Sequence, residues 1–124
     1  MTLPAPLLVG IGGAVGAVAR YAVGELLAAH PVSERLPAAT LAVNGLGTFL
    51  LGLLTFDGAG SDVALLVGTG ACGAFTTFSS FSVQTVEAWE TGKRTLAAGY
   101  ALGTLALAGL ALAAAWLLSG RLPL

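Results

Sequence analysis

Residues 67–84 read VGTGACGAFTTFSSFSVQ, and this stretch decides the fold of the chain. It lies inside an uncharged run, Val63 to Val86, that exceeds the roughly 20 residues a helix needs to cross a bilayer. Its glycines precede a dense run of Thr, Ser and Phe, and Gly, Thr and Ser are poor residues for a helix interior. The stretch therefore predicts a membrane helix broken near its centre, between Gly73 and Thr77.

The composition of the whole chain is that of a membrane protein. Hydrophobic residues make up 56% of the 124 residues and charged residues only 9%, whereas soluble domains carry about 25% charged residues. The net charge of -1 leaves no basic surface for nucleic acid. A single cysteine excludes a disulfide framework and a cysteine-based metal cluster.

Four apolar stretches predict four transmembrane helices in one all-α domain, residues 1–124. The stretches cover about 3–27, 38–56, 63–86 and 95–120, and the connections between them are short. The first stretch is expected to be a span and not a signal peptide, because it lacks a positively charged start.

Basic residues give only a weak signal for the orientation of these helices. Arg35, Lys93 and Arg94 flank one membrane face, with Arg20 near the end of the first helix, and Arg121 flanks the other face. The positive-inside rule then weakly favours termini on the outside. So small a bias also permits insertion in both orientations, and hence an antiparallel dimer.

The small and aromatic residues predict how the helices pack and where an anion could pass. Gly12 with Gly16, and Gly99 with Gly103, have the spacing at which membrane helices pack closely. The Phe residues at positions 75, 78 and 81 are spaced to form one helical stripe beside the Thr and Ser run. Aromatic ring edges are electropositive, so such a stripe can line a route for a small anion. The alternative is plain packing, with each hydroxyl bonded to its own helix.

Other polar side chains within the spans have two readings each. Asn44 is either a clamp between helices or a pore-lining donor, since a buried amide in lipid must find partners. Tyr100 and Thr104 share a face of the fourth span, where their hydroxyls either make contacts between helices or donate to an anion. Arg20 either extends to the membrane surface or draws anions into a vestibule. No carboxylate lies in the core of any span, which argues against proton coupling, and no enzyme motif is present.

Three segments resemble the CrcB/Fluc fluoride channel family of bacteria and archaea. They are GGAVGAVARY at Gly12–Tyr21, TLAVNGLGTFLLG at Thr40–Gly52 and GTGACGAFTTFSSFS at Gly68–Ser82. The third segment is the most specific, and the length and four spans extend the resemblance over essentially the whole chain.

The resemblance implies a passive fluoride channel in the cell membrane, formed by an antiparallel, dual-topology homodimer with two pores along its interface. It also assigns roles by motif position. Phe78 and Phe81 would present ring edges to fluoride. A structural sodium ion on the dimer axis would be held by the backbone carbonyls of Gly73 and Thr76. Polar contacts along the pore would come from Asn44, Ser79, Ser80, Tyr100 and Thr104, with Arg20 at the vestibule.

The chain departs from the family pattern at three places. Ser80 stands where a threonine is expected, Gln84 where a glutamate often follows, and Ala108 where a hydroxyl would extend the polar track of the fourth span. Two other functions remain open on the residues alone. A small dual-topology exporter would need a carboxylate in the first span, and residues 3–19 have none. A non-transporting scaffold subunit would explain the glycines but not the polar run at the midplane.

Overall fold

A computed structural model describes residues 3–119 and contains four helices long and apolar enough to cross a membrane. They are Ala5–Ala28, Ala38–Phe56, Ser61–Glu90 and Arg94–Leu118, called here the first to fourth spans. A short 3₁₀ helix, Pro31–Glu34, lies in the first connection. The third span extends beyond the predicted 63–86 at both ends. The predicted end of the fourth span at Gly120 and the flanking Arg121 lie outside the described residues.

The third span bends where the sequence changes from glycine to hydroxyl residues. Its N-terminal half is helical from Ser61 to Phe75, with π-helical hydrogen bonding over Ala64–Cys72. Thr76 (φ -80°, ψ 161°) and Thr77 (φ -150°, ψ 119°) are extended, and helix resumes over Phe78–Glu90. The side chain of Thr77 caps the second half by accepting a hydrogen bond from the Ser80 amide.

Glycines let the first span touch the backbone of the third. A Cβ placed on Gly12 would overlap the Leu66 carbonyl oxygen, and one on Gly16 would overlap the Ala71 carbonyl oxygen. From the other side, a Cβ on Gly70 would lie 2.7 Å from the Val9 carbonyl oxygen. Such close backbone contact is how helices associate in lipid, where apolar burial provides little drive.

The second span packs against the fourth through small residues. Ala115 is fully buried, and a Cβ on Gly52 would lie 2.8 Å from the Cβ of Ala115. The predicted pair Gly99 and Gly103 differs, because no atom of residues 3–119 lies within 4 Å of a Cβ built on either residue. Their face of the fourth span therefore remains open in a single subunit.

Candidate functional site

The two extended residues of the third span are held by one side chain of the second span. The Thr77 amide donates to Asn44 Oδ1 at 2.8 Å, and Asn44 Nδ2 donates to the Thr77 carbonyl at 3.0 Å. The Asn44 side chain thus supplies the partner that the Thr77 amide lacks, as backbone within a membrane requires, and adds a second donor to the carbonyl, which as the N-cap carbonyl also begins the following helix. Asn44 is therefore a clamp between spans. Its NH₂ group has a second proton that this pair does not use.

Arg20 reaches the same bend from the first span. Its Nη1 donates to the Thr76 carbonyl oxygen at 3.2 Å. The sequence places Arg20 near the end of its helix, but the helix continues to Ala28. The guanidinium therefore brings a positive charge to the middle of the third span.

Three aromatic rings are in contact on the C-terminal side of the bend. The ring centroids of Phe78 and Phe81 are 5.7 Å apart, and those of Phe81 and Tyr100 are 5.4 Å apart, both pairs tilted at 46°. The predicted stripe of three Phe is wrong for Phe75, because the extended residues separate it from the helix that carries the other two. Phe78 is 79% exposed. An aromatic ring this exposed at mid-membrane depth is free to face a partner or a pore.

The predicted hydroxyl residues are bonded mainly within the chain. Tyr100 Oη donates to Gln84 Oε1 at 2.9 Å, and Thr104 Oγ1 donates to the Tyr100 carbonyl at 2.8 Å. Thr77 Oγ1 lies 3.2 Å from the hydroxyl oxygens of both Ser79 and Ser80. Gln84 was not predicted as a contact of Tyr100. Gln84 lies on the third span and Tyr100 on the fourth, and the sequence does not show how these two spans are aligned along each other.

A cavity of about 380 Å³ opens at the bend. It brings together six of the predicted site residues, namely Asn44, Gly73, Thr76, Phe78, Phe81 and Thr104. Ser79 and Ser80 lie instead on a second cavity of about 370 Å³ that reaches Glu87. Tyr100 lies with Gln84, Arg35 and Lys93 on a larger opening of about 580 Å³ at the membrane surface. The predicted residues therefore divide between the cavity at the bend and two openings that share Gln84 and Glu87.

The backbone oxygens of Gly73 and Thr76 have left the helical hydrogen-bond ladder. The Thr77 amide, four residues after Gly73, donates to Asn44, and the Ser80 amide, four residues after Thr76, donates to Thr77 Oγ1. Carbonyl oxygens are ligands that hard cations accept. Within residues 3–119 no cluster of three or more His, Cys, Asp or Glu could hold a metal instead. The two carbonyl oxygens are therefore of the type that a hard cation accepts, and that of Thr76 also accepts a hydrogen bond from Arg20.

Comparison with known proteins decides the family. Residues 7–117 match the family described as "CrcB-like protein, Camphor Resistance (CrcB)". The chain belongs to this family. It is 55% identical over 109 residues to "Fluoride-specific ion channel FluC 2" of Haloarcula marismortui, covering 88% of each chain. It is also 55% identical over 115 residues to "Fluoride-specific ion channel FluC 1" of Halobacterium salinarum, covering 93% of each.

A more distant relative matches nearly the whole chain. "Fluoride-specific ion channel FluC" of Deinococcus radiodurans is 43% identical over 126 residues, covering 98% of this chain and all of the relative. Together with the four apolar spans, these matches identify a multi-pass membrane protein of a transporter family. The resemblance predicted from the three sequence segments is confirmed.

Removing the Asn44 side chain is expected to destabilise this CrcB-family protein. Asn44→Ala leaves the amide of Thr77 without a partner, and an unsatisfied buried group costs about 1–3 kcal/mol. We expect a loss of about 1–3 kcal/mol in unfolding free energy, measured by denaturation in detergent, with faster hydrogen exchange at Thr77. Leu46→Ala, on the same span at a 57% exposed position, is the matched control. Equal stability of the two variants would contradict the clamp.

Proposed function

We propose that the protein is a passive, fluoride-selective anion channel that lets cytoplasmic fluoride leave the cell across the plasma membrane. Full-length relatives named fluoride-specific ion channels support the substrate. The observation that carries the proposal is the exposed ring of Phe78 on a cavity at the bend of the third span. A ring edge attracts an anion without the fixed charge that would trap it.

The pores are proposed to lie between two antiparallel copies of the chain. Four thin spans enclose little space, and the cavities described above open to the surface of the single subunit. Phe78 is largely exposed, and the Gly99–Gly103 face has no close neighbour among residues 3–119. A second copy would cover these surfaces, and the near-balanced charge of the two membrane faces suits insertion in both orientations. Each pore would then follow one bent third span.

The residues along the pore have complementary tasks in this proposal. Arg20 draws anions toward the bend, and the Phe78 and Phe81 ring edges replace part of the water around fluoride. Hydrogen-bond donors supply the rest, namely the second amide proton of Asn44 and the hydroxyls of Ser79 and Ser80. Tyr100 and Thr104 hold the wall of the path through their own hydrogen bonds.

A passive pore is enough for export of fluoride. Hydrogen fluoride is a weak acid that crosses membranes uncharged and dissociates in a near-neutral cytoplasm, which traps the anion. A negative-inside potential drives an anion outward by about 2.3 kcal/mol per charge per 100 mV. Coupling to protons is unnecessary, and exclusion of chloride is required because chloride flow would collapse the potential.

The carbonyls of Gly73 and Thr76 are proposed to hold a structural sodium ion together with the same carbonyls of the partner. When bound, sodium neutralises oxygens that would otherwise repel each other and the anion. We predict that the dimer fraction and melting temperature of the purified protein rise with sodium in a choline buffer, since a ligand of the folded state stabilises it by mass action. Potassium at equal ionic strength is the control, and an equal response to both ions would contradict a selective site.

Fluoride efflux from liposomes tests the proposed function. Purified protein is reconstituted with potassium fluoride inside, and a potassium ionophore is added so that potassium movement balances the charge. We expect rapid loss of fluoride, with chloride retained in a parallel sample. Fluoride retention by well-folded protein would overturn the channel and favour a scaffold. Efflux driven only by a proton gradient would favour a coupled exporter.

A further inference from the structure

The hydroxyl groups of the spans differ in whether they already donate a hydrogen bond within the chain. Five threonines and serines of the spans bond back to their own helix, a usual arrangement in an apolar setting. Such bonds run from Thr55 to Leu51 (2.8 Å), Thr76 to Cys72 (2.9 Å), Ser82 to Phe78 (3.0 Å), Thr85 to Phe81 (2.7 Å) and Thr104 to Tyr100 (2.8 Å). Thr48 and Thr69 are exceptions, because neither hydroxyl makes a hydrogen bond with any residue from 3 to 119.

Both exceptions line the cavity at the bend, from two different spans. Thr48 follows Asn44 by four residues and so shares its helix face. Thr69 lies in the π-helical segment of the third span. The lining of this cavity within the described chain contains no charged side chain.

The cavity continues toward the membrane face opposite Ser79 and Ser80. A further cavity of about 410 Å³ shares Leu51, Gly68 and Thr69 with it and reaches Gly58 and Ala59 in the connection before the third span. The described part of its lining is also uncharged. The two cavities therefore join the bend to the face that carries residues 57–60.

We propose that the Thr48 and Thr69 hydroxyls bind the anion on this half of the permeation route. The inference rests on the proposed fluoride channel and deepens it. A hydroxyl proton without a partner at membrane depth is unfavourable, and a small anion that has lost water needs donors. Two unpartnered donors on an uncharged cavity supply them without trapping the ion. Ser79 and Ser80 supply donors on the other half.

Valine replacements at both positions test the proposal in the reconstituted full-length protein. Thr48→Val and Thr69→Val keep the shape and remove the donor, and loss of a hydrogen bond to a charged group corresponds to roughly tenfold or more. We expect each variant to reduce fluoride flux about tenfold and to raise the fluoride concentration that half-saturates it. Thr48→Ser and Thr69→Ser, which keep the donor, should retain most of the flux. Thr85→Val is the matched control, since its hydroxyl already donates to the Phe81 carbonyl.

The outcomes separate this inference from the channel itself. Wild-type flux in both valine variants, with wild-type protein conducting, would overturn the inference and leave the channel standing. Equal losses of flux in the valine and serine variants, with an unchanged half-saturating fluoride concentration, would also overturn it. That result would mean that the two side chains contribute to packing and not to anion binding. A wild-type protein that passes no fluoride would overturn the proposed function, and the inference with it.

Discussion

Replacing Phe78 or Phe81 by isoleucine is expected to abolish most fluoride flux while leaving the protein folded. Phe78 is 79% exposed in the single subunit, so its ring contributes little to the core that this chain builds alone. An anion that loses its ring-edge contacts meets an uncompensated desolvation cost of about 3 kcal/mol, which corresponds to roughly a hundredfold in rate. The measurement is fluoride efflux from liposomes, normalised to the amount of dimer.

Phe56→Ile is the matched control for this experiment. Phe56 ends the second span at a 45% exposed position, next to the membrane surface. The same change of side chain there should leave flux within about twofold of wild type, since exposed substitutions change energies by about 0.5 kcal/mol. Phe78→Ile and Phe81→Ile proteins that conduct like this control would contradict the role of the rings.

Adding one methyl group at Gly12 or Gly16 is expected to disrupt the bundle. The new Cβ would overlap the carbonyl oxygen of Leu66 or Ala71, which belong to a helical backbone that cannot rotate away. Overpacking typically lowers stability by about 1–3 kcal/mol. Because the added methyl group would meet backbone atoms, we expect each of these substitutions to lower it by about 3 kcal/mol or more. Denaturation in detergent and the yield of folded protein measure the effect.

The same span provides two controls for these glycines. A Cβ on Gly10 or Gly24 meets nothing within 4 Å. Gly10→Ala and Gly24→Ala should leave stability unchanged or raise it by up to about 1 kcal/mol, because alanine favours the helix. Stability of Gly12→Ala equal to that of Gly10→Ala would show that the first and third spans do not touch as described.

The sequence predicts the spans well because length and hydropathy alone define them. The ends of the second span agree with the prediction, and those of the others that can be compared shift by one to four residues. The position of the bend also follows from local chemistry, since glycine, threonine and serine all disfavour a helix interior. Thr76 and Thr77 are extended within the predicted Gly73–Thr77 window.

The hydrogen bonds between spans could not be predicted from the sequence. The bond from Arg20 to Thr76 and the pair between Asn44 and Thr77 join residues that are 56 and 33 positions apart. The sequence leaves Asn44 as either a clamp between helices or a pore-lining donor, because it does not show how the second span is aligned against the third. The free hydroxyls of Thr48 and Thr69 were missed, although the spacing of Thr48 from Asn44 was a signal for one of them.

The reversal potential of fluoride current in a planar bilayer tests the central claim most directly. With a tenfold gradient of fluoride and equal chloride on both sides, a passive fluoride-selective pore predicts reversal at a magnitude of about 59 mV, the value for one charge. The potential should not change when a pH gradient is added or when chloride is made unequal. Reversal near zero, or a potential that follows chloride or pH, would contradict a passive fluoride channel.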